Sequence, residues 1–182
     1  MLKFKIMVCS LILLVLSGCS TKLYDFKMVE PEKEFLVSFD KKNSKIELSK
    51  GGSLIELSTL ENKIGVDNPV KLMVKLTNKS SDILIFKGRD IRIGFNDFWF
   101  YLDNYEILGD NEELNFKNKD NFLIKHSILP DQSLNLILTF KTPLSKEYYK
   151  NKLSIFEIYT NLSIYRVLFE VGEKESIFDD KF

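Results

Sequence analysis

The strongest constraint on the fold is a period-two alternation of apolar and polar residues. Val70, Leu72, Val74 and Leu76 fall on one face, and Lys71, Met73, Lys75 and Thr77 on the other. The pattern returns at Leu134, Leu136, Leu138 and Phe140, separated by Asn135, Ile137 and Thr139. Successive side chains of a strand point to opposite faces, so this spacing predicts half-buried strands. Further candidates are Phe35–Phe39, Lys45–Leu48, Leu54–Leu57, Leu153–Tyr159 and Leu162–Val171. The last is rich in β-branched and aromatic residues, which suit a pleated surface. Lys50-Gly51-Gly52, Thr160-Asn161 and Leu129-Pro130-Asp131-Gln132 supply turn chemistry between them. Asn78-Lys79-Ser80-Ser81-Asp82 predicts a hairpin loop between the Val70 strand and a strand over Ile83–Phe86. A helical turn or two is expected only at Ser145–Lys150, after Pro143. Short strands with polar turns predict an all-β, antiparallel sandwich or barrel from Phe35 to Phe182.

The N-terminus follows a different logic. Lys3 and Lys5 precede an apolar run, Ile6–Leu16, then Ser17, Gly18 and Cys19. A basic start, a short apolar stretch and small residues form the order of an export signal. The apolar stretch is shorter than the roughly 20 residues that cross a bilayer core. Leu16-Ser17-Gly18-Cys19 resembles the lipobox of bacterial lipoproteins. The resemblance implies cleavage after Gly18, a diacylglyceryl thioether on Cys19 and acylation of the new amine, as palmitate or a related chain. It divides the chain into a signal peptide over 1–18, a lipidated tether over 19–34 and a β-domain over 35–182. Each buried lipid methylene contributes about 0.8 kcal/mol, and stable anchoring takes about two chains. The other reading is an ordinary secretory signal whose cleavage site carries a cysteine. Ser20 after the lipidated position implies the periplasmic face of the outer membrane, where Gram-negative sorting rules apply.

Cysteine use agrees with a domain that stands without disulfides. Cys9 lies in the signal and Cys19 is the lipidation site, which leaves the β-domain with neither thiol nor bridge. Its core must therefore suffice, and a whole-chain hydrophobic content of 45% with 15 Phe makes that feasible. Lys+Arg and Asp+Glu are equal at 26 each. Cleavage would remove Lys3 and Lys5, leaving 24 against 26 and a mature charge near −2. No basic footprint of a nucleic-acid binder is present. The tether carries many charges, but Tyr24, Phe26 and Met28 stand at alternate positions, spaced to pair with the domain's edge or to lie near headgroups.

Two stretches jointly resemble the immunoglobulin-like domains of bacterial envelope lipoproteins: Val70–Asp82, a strand ending in Asn and a polar turn, and Leu129–Phe140, a Pro-containing turn feeding a strand. The resemblance implies an immunoglobulin-like β-sandwich. The Cys…Trp…Cys framework of antibody domains is absent, so no antibody role is implied, and a fold alone does not assign a function.

Catalytic chemistry finds little purchase. His126 is the only histidine, and no Gly-x-Ser-x-Gly elbow accompanies it. One histidine without thiols builds no zinc site, so no metal and no cofactor are expected. Gly51-Gly52 lacks the context of a phosphate loop. Asp110-Asn111-Glu112-Glu113 is acidic but lacks calcium-loop spacing. Asn78-Lys79-Ser80 and Asn161-Leu162-Ser163 match a glycosylation sequon but lie in expected turns. A carboxylate hydrolase needs two acids across a cleft, which a sequence does not place.

Phe98-Trp99-Phe100-Tyr101 is the unusual feature. On a strand, Phe98 and Phe100 share one face, and Trp99 and Tyr101 the other. One pair is either covered by another element or presented to a partner, and Trp and Tyr are favoured at binding hot spots. Phe98, Trp99, Phe100, Tyr101 and nearby Tyr105 are the candidate partner-binding residues. The resulting expectation is a non-enzymatic envelope module, anchored to the membrane through Cys19 and binding another envelope protein. The alternative is a carrier of an apolar ligand in a β-enclosed pocket.

Overall fold

In a computed structural model of the full chain, the described residues are 23–30, 35–65, 68–108, 113–116, 123–141, 149 and 153–173. Signal, lipobox and Cys19 lie outside them, as do Ser145, Lys146, Glu147, Tyr148 and Lys150 of the expected helical turn. So do Asp110, Asn111 and Glu112 of the acidic loop, and the C-terminal Ile177–Phe182 segment. Among the described residues there are fourteen strands: β1 Tyr24–Met28, β2 Leu36–Asp40, β3 Lys45–Lys50, β4 Ser53–Thr59, β5 Lys63–Ile64, β6 Val70–Asn78, β7 Leu84–Lys87, β8 Ile91–Phe95, β9 Phe98–Leu108, β10 Glu113–Phe116, β11 Lys125–Ile128, β12 Ser133–Phe140, β13 Leu153–Tyr159 and β14 Ile164–Glu173. A 3-10 turn, Gly88–Asp90, joins β7 to β8. Among the described residues no helix is long and apolar enough to cross a membrane.

The expected all-β, antiparallel architecture is present. Twelve strands form one continuous sheet in the order β2-β3-β4-β6-β12-β9-β8-β13-β14-β1-β5, with β10 also on β9, and β11-β7 form a separate pair. The sheet curls into a half-barrel. Its two arms close on one core. Phe140 of β12 meets Phe156 of β13 edge-on at 6.2 Å, and the Tyr165 hydroxyl of β14 donates to the Lys50 carbonyl at the end of β3, 3.0 Å away.

The long strand β9 connects the arms. Phe98 to Tyr101 pair with β8, and Leu102 to Leu108 pair with β12. On β12, Thr139 faces Asn104 and Phe140 faces Leu102, so Asp103 is an extra residue. Such a bulge bends its strand and sharpens the twist. It also resets the alternation: Leu102 and Tyr105, three apart, are both buried. The bulge leaves Asn104 Oδ1 buried with no hydrogen-bond partner among the described residues.

Alternation predicted the buried faces well. Val70, Leu72, Val74 and Leu76 are buried, as are Leu136, Leu138 and Phe140, and β6 pairs with β12. The Gly51-Gly52 turn joins β3 to β4, with φ of +57° and +71°. Both central residues of a type I′ turn need positive φ, which glycine adopts without steric cost.

Three local arrangements are set by contacts that the sequence pattern leaves open, and the first departs from the hairpin expected after the Val70 strand. First, β6 and β7 do not form a hairpin. β6 lies between β4 and β12, while β7 pairs with β11. Buried Asn78 explains the departure: its amide donates to the Asp82 and Ile128 carbonyls, and its Oδ1 accepts from the Ser80 amide and hydroxyl. That network turns the chain out of the sheet instead of back along it. Second, Tyr24–Met28, within the segment expected to be tether, forms β1, paired with β14 and β5. Tyr24, Phe26 and Met28 point into the core, and Phe26 stacks on Phe169 at 4.3 Å. Their alternate spacing is the strand signal, and of the two placements it allowed the one at the sheet is formed, against β14. Third, Asn96-Asp97 is a tight turn between β8 and β9, with Asn96 at φ +56°.

Phe156 is fully buried, whereas Leu153 on the same strand is exposed. Phe156→Ala should lower unfolding free energy by about 3–5 kcal/mol, and Leu153→Ala should stay within about 0.5 kcal/mol of wild type. Urea denaturation followed by circular dichroism measures both.

Candidate functional site

The outward face of β9, β8, β13 and β14 carries the candidate site. Register places its side chains in two rows. Trp99 faces Gly94, Gly94 faces Ile155, and Ile155 faces Leu168. Beside them, Tyr101 faces Arg92, Arg92 faces Glu157, and Glu157 faces Arg166. Ile164 lies opposite Tyr159 at the end of the hairpin. Solvent-facing strand positions are ordinarily polar. Here one row is wholly apolar and the next is a chain of aromatic and charged groups.

Gly94 sets the depth of the first row. A Cβ there would lie 3.0 Å from Trp99 Cζ3 and 3.1 Å from Cε3. The indole therefore lies against the glycine backbone, an arrangement that any side chain would lift. Its ring is also covered by the Arg92 guanidinium, whose carbon stands 3.9 Å from the ring centroid. This cation–π contact fixes the ring from the second row. Trp99 remains 38% exposed, and Tyr101 54%.

Glu157 anchors the second row. Its side chain is only 3% exposed. Arg92 donates to Oε2 from Nε and Nη2 at 2.9 and 2.7 Å, and the Tyr159 hydroxyl donates to the same oxygen at 2.6 Å. Arg166 Nε donates to Oε1 at 2.5 Å. Burial alone would push the carboxyl up. The hydrogen bonds from Tyr159, Arg92 and Arg166, together with the charge of Arg92, outweigh it and hold Glu157 below the usual glutamate range. Arg92, desolvated in turn, is held above the usual arginine value by its bond and attraction to Glu157. The carboxylate is thus a fixed structural anion and both guanidinium groups keep their charge.

A half-open groove of about 670 Å³ runs along this region. Trp99, Ile155, Ile164 and Leu168 line it together with Glu157, Tyr165 and Arg166, and Phe35, Leu48 and Lys50 line it from the β2–β3 arm. Lys50 Nζ sits 4.4 Å from the Phe35 ring centroid. The volume is that of an ordinary ligand site.

The expected partner-binding residues divide. Trp99 and Tyr101 are outward and accessible, and Phe98 is 55% exposed near the β8–β9 turn. Phe100 packs edge-on against Phe95 at 5.9 Å and belongs to the core margin. Tyr105 is fully buried and presents nothing to a partner, because the bulge at Asp103 turns it inward. Its hydroxyl meets His126 Nε2 at 2.7 Å, and the imidazole stacks on Phe86 at 5.1 Å. Burial raises the Tyr105 pKa to about 12 and lowers that of His126, so both are neutral near pH 7. The pair packs β11 against β9. Among the described residues no group of three or more His, Cys, Asp and Glu side chains is placed to hold a metal.

Arg92, Ile155, Glu157, Arg166 and Leu168 were not anticipated as site residues. The hairpin itself was legible, but its register was not: the loop spans the four residues Thr160–Ser163, and that length sets Glu157 opposite Arg166. The β8 partner was not readable, so Arg92 and Gly94 had no assigned neighbour. Both sequon asparagines serve structure instead. Asn161 accepts from the Ile85 amide and donates to the Ile83 carbonyl, tying the β13–β14 turn to β7. The chain matches no protein-family model, no curated protein and no solved structure.

Because Glu157 ionises at lower pH in the folded than in the unfolded chain, its stabilisation is complete above the ordinary glutamate pKa of about 4.3. It is lost as pH falls through the lower folded value. Glu157→Gln should therefore flatten the acid side of the stability–pH curve, leaving the slope due to Glu56 and Asp40, whose carboxyls are also held low. At pH 7 its cost should be below the roughly 3–5 kcal/mol of a fully buried broken pair, because Arg166 is largely exposed. Urea midpoints between pH 3 and 7, on the order of one per unit, measure this.

Proposed function

We propose that this protein is a lipid-anchored lipoprotein of the bacterial cell envelope whose β-body is a non-enzymatic module for binding or assembling another envelope protein. Cys19 carries the lipid in this reading, and the body is a variant of the immunoglobulin-like sandwich. The observation behind the binding role is the outward Trp99 face, where aromatic, aliphatic and guanidinium groups converge beside a groove. Interface cores favour this composition, with Trp, Tyr and Arg dominating the energetics. The ring of Trp99 is already held by Gly94 and Arg92, so little side-chain freedom is lost on binding. The carrier reading draws on the same groove. Its opening to solvent and the ionised Glu157–Arg166 pair in its wall favour a protein ligand over a wholly apolar one.

Two measurements test the proposal. Cys19→Ala should move the protein from the membrane fraction to a soluble or uncleaved pool, and mass spectrometry of the wild type should find an acylated Cys19 at the mature N-terminus. An unmodified thiol there defeats the anchor. A Trp99→Ser/Tyr101→Ser variant that keeps the wild-type circular dichroism should lose crosslinked envelope partners from intact cells. Equal recovery from both proteins defeats the binding face.

A further inference from the structure

We propose that the groove along β14 binds an extended, acidic segment of the partner, whose side chains at i, i+2 and i+4 run apolar, carboxylate, apolar. The proposal rests on the partner-binding reading above and names the chemistry of that same face. Along the outer side of β14 the groove meets Ile164, Arg166 and Leu168 in turn. These stand about 6.8 Å apart, the two-residue repeat of any extended chain. A peptide laid along β14 therefore meets them with every second side chain, in register over at least three positions.

Charge selects the middle position. The groove is lined by two cations, Arg166 and Lys50, and one anion, Glu157. Glu157 is consumed by four hydrogen bonds and is almost wholly covered. Arg166 spends Nε on it while its side chain stays 66% exposed. Arg92 adds a second positive charge behind the same carboxylate. Glu170, the next outward residue of β14, does not line the groove; it stands opposite Lys27 of β1, whose ammonium pairs with Asp25 at 3.2 Å. The face presented to a ligand is therefore net positive, with Arg166 central and Lys50 on the far wall. A guanidinium is suited to a carboxylate through paired N–H donors. Ile155 and Trp99 extend the apolar seat beside Leu168, and Phe35 and Leu48 provide apolar surface on the opposite wall. A hydrocarbon chain in the same groove would cover the exposed Arg166 guanidinium without returning a hydrogen bond to it, which is costly.

Trp99 is the chain's single tryptophan, so its emission reports occupancy of the groove directly. The test uses full chain in nanodiscs and three capped pentapeptides, acetyl-Val-Ser-Glu-Ser-Val-amide and its Gln and Lys counterparts, titrated to millimolar concentration. The Glu peptide should give a saturable emission change and bind at least about ten-fold more tightly than the Lys peptide, with the Gln peptide between. Lys50→Glu, which leaves the Glu157 cluster intact, should narrow the Glu-over-Lys preference. Arg166→Glu, checked by circular dichroism, should reverse it. Equal binding of all three peptides, or no saturable change, overturns the acidic-segment proposal. If Trp99→Ser/Tyr101→Ser still abolishes partner recovery in that case, the binding face stands and only its ligand chemistry fails. If partner recovery is also unchanged, both fail.

Discussion

Strand β9 carries one residue more than β12 can match, and the arrangement of the molecule follows from that mismatch. Up to Tyr101, β9 belongs with β8 and sends Trp99 and Tyr101 outward. After it, β9 belongs with β12 and sends Tyr105 and Ile107 inward. An unbroken alternation from Phe98 would have placed Asn104 and Glu106 inward in the β12 half. The bulge changes the parity, so both halves keep apolar side chains on the shared core. One strand thus serves two arms of the sheet, and the aromatic face is the outward half of the same compromise. Lys141 meets the Asp103 carboxylate at 2.9 Å, giving the extra residue a partner on the outside.

How much of this was legible in the sequence depended on whether the deciding contact was local. The buried faces of β6 and β12 were legible because alternation over seven or more residues survives any choice of neighbour; β14 was legible only as a strand, from its β-branched and aromatic residues, since its outward face carries Ile164 and Leu168. The Gly51-Gly52 turn was legible because two adjacent glycines suit a turn needing two positive φ values. The hairpin expected after β6 was not formed, because the outcome was set by Asn78 reaching Ile128, fifty residues away. Tyr105 was grouped with the exposed aromatics because a bulge leaves no mark in composition. Arg92 and Gly94 gained their roles only through the β8–β9 and β8–β13 registers, which no local pattern specifies.

The charged row over the sheet shows how a buried acid is kept. A carboxylate this covered is costly unless its lone pairs are used, and Glu157 receives bonds from two arginines and a tyrosine. The cluster then does more than satisfy itself. Holding Arg92 against Glu157 places its guanidinium over the indole of Trp99, and Gly94 supports the opposite side. The ring is set between a cation and bare backbone, so its orientation is decided before any partner arrives. The same cluster leaves Arg166 charged and exposed beside an apolar row.

The position of β1 has a mechanical consequence. Tyr24–Met28 is an interior strand, bonded along five positions to β14 and at its start to β5, with Tyr24 stacked on Tyr149. Tension drawn along its axis from the N-terminal side loads that ladder lengthwise, so its bonds must yield together and not one by one. The body resists a tug at that end as a clasped unit, and the first residues it would surrender are those whose rings fill its centre.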